Sequence, residues 1–192
     1  GSRNILREAI SMLVQKGPLE VRPGSGTYVA SPSPEILRDS LDLLLRFSDA
    51  ALLDLVEARR SIEVEIAELA ARRATGNDCQ AIDACLHEME TKSGEPEAYI
   101  DADVRFHASL ALAAKNPILQ HLLDSIRGAM RENIRVVFRN RPAAVEEAMG
   151  FHRRIAAAVR RHAPEDARTA MREHLDSVRR DLLPQAGGHP AA

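Results

Sequence analysis

The sequence has no tryptophan, and its 192 residues include only two tyrosines and four phenylalanines. With so few aromatics, and with alanine, leucine, glutamate and arginine abundant, the composition favours helix over sheet. Only two cysteines are present, Cys79 and Cys85, in one predicted helix. Their spacing suits neither a disulfide framework nor a zinc knuckle, so they read as reduced thiols. No apolar run approaches the length of a membrane span, and no stretch reads as a secretory signal. Excess charge is missing too. The formal net charge is -2, which gives no overall pull toward nucleic acid or anionic membrane. These absences lead us to expect a soluble, cytoplasmic, mainly α protein with no membrane partner.

What is present is 45% hydrophobic against 28% charged residues, enough to bury a core and form one or two domains. Residues 1–30 differ from the rest. A short helix is expected over 2–15, with Ile5, Leu6, Ala9, Ile10 and Leu13 at helical spacing and Ser2 as its N-cap. Gly17-Pro18 stops it, and residues 19–22 and 27–29 flank a Pro23-Gly24-Ser25-Gly26 turn as a β-hairpin. Arg3, Arg7, Lys16 and Arg22 oppose Glu8 and Glu20, so this segment carries +2 and the remainder -4. Residues 31–34, Ser-Pro-Ser-Pro, read as a linker.

From 35 to 184 no strand signal appears. Seven helices are expected, over 35–47, 50–74, 78–92, 96–114, 117–139, 143–162 and 165–183. Breaks at Ser48-Asp49, Gly76-Asn77, Ser93-Gly94, Asn116-Pro117, Arg141-Pro142 and Ala163-Pro164 separate them. Short connections imply an antiparallel helical bundle. Residues 185–192 read as a flexible tail.

Within that bundle, four polar residues sit where apolar ones belong. Asp103 and His107 are one helical turn apart, on the stripe that contains Ile100, Leu110 and Ala114. His152 shares a stripe with Met149, Ile155, Ala156 and Val159, and His174 shares one with Ala167, Met171, Val178 and Leu182. One carboxylate and three imidazoles aimed inward from three helices satisfy each other by sharing a cation, since unpaired buried charge is costly. Nitrogen ligands with one carboxylate suit zinc first, with nickel, manganese or iron as alternatives. His87, His121, His162 and His189 lie off this pattern and read as surface residues.

Residues 2–10, Lys16-Gly17 and the run Arg22-Pro23-Gly24-Ser25-Gly26-Thr27-Tyr28-Val29 resemble the winged helix-turn-helix of GntR-family transcription regulators. The match rests on R-E-A-[IL] and R-P-G-x-G-T-[YF]-V at the family's separation. The resemblance makes 2–15 the recognition helix and the hairpin the wing. It carries the family's DNA-contacting arginines onto Arg3 and Arg7, whose guanidiniums can fork onto guanine O6 and N7. Ser2 and Thr27 become phosphate contacts, and Arg22, Gly24 and Gly26 belong to a wing tip able to approach the DNA backbone closely. Pro18 departs from the pattern, where the family has an aliphatic residue. The family's domain has two further helices before the recognition helix, so the winged helix in 1–30 is partial.

Residues 35–184 resemble the FCD ligand-binding domain of the FadR branch of the same family. Asp54 to Glu63 carry its E-x-R-R-x-[IL]-E helix. Asp103 to His107 and Ala113 to Pro117 carry D-x-x-F-H and A-x-x-N-P, and Phe151-His152 and Glu173-His174 lie in its later helices. The resemblance assigns the metal ligands of that domain to Asp103, His107, His152 and His174. It makes Arg59, ahead of its neighbour Arg60, the anchor of an effector carboxylate, with Asn133, Arg105, Arg131 and Arg135 as lesser candidates.

The implied function is a metabolite-responsive, homodimeric regulator. It would bind a palindromic double-stranded DNA operator and a small organic or sugar acid. Two alternatives stay open, a metal-dependent helical enzyme and a metal-stabilised dimerisation scaffold with no effector response. Against an enzyme, there is no H-E-x-x-H, no E-x-x-H pair and no Ser/His/Asp arrangement.

Overall fold

The structure is a computed structural model, and it describes residues 2–15, 19–29 and 51–183. The expected linker at 31–34, the helix at 35–47 and the tail at 185–192 lie outside the described residues. So do Lys16, Gly17, Pro18 and His189.

The N-terminal helix α1 (Ser2–Gln15) includes Ser2, which is helical rather than an N-cap. Strands β1 (Leu19–Arg22) and β2 (Gly26–Val29) pair antiparallel, with Leu19 opposite Val29 and Arg22 opposite Gly26. Gly24 and Gly26 have φ of 77° and 118°, backbone states that side chains disfavour, so the turn depends on glycine. The hairpin contacts α1, and among the described residues nothing else contacts either element.

The rest is helical: α2 (Ala51–Arg73), α3 (Gly76–Thr91), α4 (Pro96–Ala113), α5 (Pro117–Ser125), α6 (Arg127–Asn140), α7 (Ala144–Arg160) and α8 (Pro164–Leu182). Local chemistry sets the starts. Thr75 and Asp78 form a capping box on α3, which places Gly76 and Asn77 inside the helix rather than at a break. Asn116 Oδ1 accepts from the Ile118 and Leu119 amides at 3.1 and 3.3 Å, and Pro96, Pro117 and Pro164 occupy first-turn positions. Lys115, at φ 50°, ends the turn after α4.

The expected single helix over 117–139 is two helices. Ile126, at φ -104° and ψ 7°, belongs to neither, and the Ser125 hydroxyl donates to Leu122 O at 2.6 Å. A side chain competing for a helix carbonyl bends the ladder. The break lets Leu123, Ile126, Ala129 and Met130 all bury although they lie on differently directed segments.

Cross-helix ion pairs show the packing directions. Arg60 meets Asp176 while Glu65 and Glu68 meet Arg168, so α2 and α8 run antiparallel. Glu88–Arg105 and Asp78–Lys115 show the same for α3 and α4, and Glu90–Arg153 and Asp83–Arg160 for α3 and α7. These exposed pairs contribute at most about 1 kcal/mol each. The fold is held by the apolar core between them, which includes Ile66, Tyr99, Phe106, Leu110, Ile155 and Met171. Truncating a core side chain such as Ile155 to alanine costs about 2–5 kcal/mol. No described helix is long and apolar enough to cross a membrane.

Candidate metal centre

Helix α4 buries Asp103 and His107, α7 buries His152 and α8 buries His174, each at or below 4% exposure. The three imidazoles offer ligand nitrogens that all lie within 4.8 Å of one another. The Asp103 carboxylate stands between two of them, 3.5 Å from His107 Nε2 and 3.5 Å from His152 Nε2. Phe106 packs against the His152 ring at 4.9 Å and Phe151 against His174 at 6.0 Å, walling the cluster from water. Three helices thus converge on one point.

The electrostatics of this point favour a cation. Burial, reinforced by neighbouring imidazoles and Arg59, holds the His152 and His174 pKa values well below the ordinary histidine range. Both are therefore unprotonated at neutral pH, the state a metal ligand requires. Burial raises the Asp103 pKa, opposed by His107 and Arg59. His107 Nε2, both His152 nitrogens and His174 Nδ1 are buried without a hydrogen-bond partner. Buried polar atoms left unpaired are expensive, and a divalent cation among them removes that expense. The donor set fits the group.

Beside the cluster lies a small, partly open cavity of about 30 Å³, lined by Arg59, Tyr99, Asp103, His174 and apolar residues of α6, α7 and α8. Arg59 is only 1% exposed, whereas Arg60 is exposed and paired with Asp176 at 2.8 Å. Asn133 is buried outside the cavity lining, with Nδ2 3.5 Å from Leu52 O and Oδ1 unpartnered. Arg105, Arg131 and Arg135 lie in surface ion pairs with Glu88, Asp101 and Glu97 respectively, and none lines the cavity. His87, His121 and His162 are exposed.

Two functional candidates escaped sequence reasoning. Glu63 on α2 is 1% exposed, bonds Arg59 Nε at 2.6 Å through Oε1 and contacts His107 Nδ1 through Oε2. Burial raises its pKa, but Arg59 and His107 outweigh that and hold it below the carboxylate range. Its signal was readable: Leu55, Arg59, Glu63, Ile66 and Ala70 recur at three and four, so the charged pair occupies the apolar stripe. Tyr99, one turn before Asp103, puts a buried, unpartnered hydroxyl on the cavity lining residue set.

The N-terminal candidates sit differently. Arg3, Arg7, Arg22, Gly24, Gly26 and Thr27 are all exposed. Arg22 bonds Glu20 at 2.8 Å through Nε and lies 4.8 Å above the Tyr28 ring.

The described residues thus comprise a helical bundle in which imidazoles converge beside a cavity, and a separate helix and hairpin with exposed arginines. The FCD domain family matches residues 54–177. The Bacillus subtilis transcriptional regulator LutR is 31% identical over 181 residues, covering 92% of this chain and 83% of LutR. The Escherichia coli Uxu operon transcriptional regulator is 34% identical over 191 residues, covering 95% and 73%. Among solved structures, Streptococcus agalactiae GntR superposes with a TM-score of 0.72 at 33% identity, covering 93% of this chain and 82% of that one. The chain belongs to the FCD-domain branch of the GntR family of transcription regulators. Its relatives are named as transcriptional regulators.

Proposed function

We propose that the chain is a metabolite-responsive, homodimeric repressor or activator whose operator affinity is set by a small organic or sugar acid bound in the helical domain. The observation that carries this is the convergence of three buried imidazoles with unpartnered nitrogens, one of which, His174, lines a cavity together with Asp103 and Arg59. Asp103, His107, His152 and His174 would hold a divalent cation, zinc by ligand type. Such a cation, when bound, supplies positive charge and open positions for a carboxylate or hydroxyl oxygen. The protein's own part is to orient the acid. Arg59 offers a fork to its carboxylate, and the apolar walls of α6 and α7 exclude water. The E. coli galactonate operon transcriptional repressor, 28% identical over 185 residues, is named for a sugar acid, in keeping with this ligand class.

Residues 1–30 would read the operator. Arg3 and Arg7 would meet base edges from α1, and Ser2, Arg22, Gly24, Gly26 and Thr27 would contact the DNA backbone. A homodimer presents two such heads to a palindromic site. Effector binding changes DNA affinity only through different affinity for two arrangements of those heads.

The test begins with elemental mass spectrometry of the purified chain. About one cation per chain is expected, as a single four-ligand site requires, and His152→Ala should abolish it. Organic acids should then raise the thermal midpoint and alter operator binding in a gel-shift assay. No cation in the wild type, even after divalent ions are added back, sinks the proposal. Cation binding with no acid response would leave a metal-tied scaffold instead.

A further inference from the structure

Among the buried charged groups of the bundle that the cation site does not use as ligands is Glu63, beside Arg59. Glu63 is 1% exposed, and its two oxygens face two different partners. Oε1 takes the Arg59 Nε–H at 2.6 Å, and Oε2 contacts His107 Nδ1. Neither Glu63 Oε2 nor His107 Nδ1 has any hydrogen-bond partner elsewhere. Across the same ring, His107 Nε2 faces Asp103 at 3.5 Å.

From this we infer that Glu63 is a positioning residue that sets the tautomer of His107 and ties the anion-binding arginine to the cation site. The inference rests on the cation reading proposed above. Both ring nitrogens face a carboxylate, which is an acceptor only, but Nδ1 is in direct contact with Glu63 while Nε2 stands 3.5 Å from Asp103, so in the singly protonated ring the proton goes to Nδ1. Glu63 therefore places the proton on Nδ1 and leaves the Nε2 lone pair aimed at Asp103 and the other imidazoles. Carboxylates that hold metal-binding histidines in this way also fix ring orientation and raise ligand basicity. The second oxygen engages Arg59 through Nε, its one hydrogen bond among the described residues, which leaves the terminal Nη pair of the fork for an anion. One side chain thus prepares both halves of the pocket.

An amide cannot do both jobs. In Glu63→Gln, one arm becomes an NH2 donor. If the remaining oxygen serves Arg59, the NH2 faces His107 Nδ1 and moves the proton to Nε2, which blocks the ligand nitrogen. If it serves His107, two donors confront each other at Arg59.

The experiment compares zinc affinity, by competition with a chromophoric chelator, in wild type and Glu63→Gln. It is paired with two-bond proton–nitrogen correlation spectra of the imidazoles in zinc-free protein, with His107→Ala identifying the resonance. The wild type should show His107 protonated at Nδ1. The Gln variant should lose that pattern and bind zinc about 10- to 100-fold more weakly, as other histidine-orienting carboxylates do. Glu63→Asp, which keeps the charge on a shorter arm, should recover part of the affinity. An Nε2-protonated His107 in the wild type overturns the inference without any variant needing to fold. So does a cooperatively folding Gln variant with unchanged tautomer and zinc affinity within twofold. A wild type that binds no zinc fails the cation reading alone, and the tautomer spectrum then still decides the role of Glu63.

Discussion

The two ends of this molecule place their functional polar residues in opposite ways. In residues 2–29 the arginines and glycines predicted to meet DNA are all exposed. In the helical domain Arg59, Glu63, Asp103, His107, His152 and His174 are all buried. Groups that read DNA must be left free to exchange water for phosphate and base edges. Groups that hold a cation and an acid must be desolvated and locked beforehand, because precision there depends on rotamers fixed by packing. The apolar residues follow the same division. Ile5, Leu6 and Leu13 are 43–69% exposed, while Ile100, Leu110, Met149, Ile155 and Met171 on the histidine-bearing stripes are buried to 2% or less.

This contrast can be broken by mutation, and the largest effect is expected inside. Arg59→Met leaves the Glu63 carboxylate buried without its partner and should cost about 3–5 kcal/mol of stability by urea denaturation. Its neighbour supplies the control: Arg60→Met, which loses only the exposed pair with Asp176, should cost less than about 1 kcal/mol. Equal losses at the two positions would mean that burial does not separate them.

At the other end the effect should move from stability to recognition. Arg3→Ala or Arg7→Ala should each weaken operator binding by about 1–3 kcal/mol. The unfolding midpoint should stay within the roughly 0.5 kcal/mol expected of an exposed site. A matching loss of stability would show that these arginines pack against something rather than wait for DNA.

Smaller effects belong to the helix ends. Thr75→Ala removes half of the capping box on α3 and should cost about 1 kcal/mol. Its partner Asp78 has a pKa lowered from 3.8 to about 2, through hydrogen bonds from Lys115 and Thr75. A lowered carboxyl pKa stabilises the fold above the unfolded value and loses that contribution as pH falls through the folded one. Stability should therefore decline between about pH 4 and 2, in the window these values define, and Asp78→Asn should flatten that decline. An unchanged acid limb in the variant would assign the loss to other groups.

Much of this was legible in the residues. His152 and His174 stand on unmistakable apolar stripes because α7 and α8 are strongly two-faced, and proline or a cap marks the starts of α4, α5 and α8. The break at Ile126 was not legible, since no proline lies between 118 and 139 and the apolar residues continue at helical spacing. Only the packing of α5 and α6 against different neighbours makes bending there favourable. Asn133 could be placed in a helix but not relative to the cavity, because helical period says that a face is buried and not what it faces.

Glu63 marks the limit most clearly. An arginine and a glutamate four apart on a helix often form a solvated pair, and although Leu55, Ile66 and Ala70 put this one on an inward stripe, periodicity does not say what Glu63 meets there. By itself the sequence determined the helical class, most helix ends, and which polar residues point inward, because these follow from periodicity and local hydrogen bonding. Which inward residues meet was decided by the tertiary structure, where α2 is packed against α4 and α8. There, excluding water turned this charge pair into a relay between Arg59 and His107, because desolvation makes a charge dependent on the few groups it can still touch.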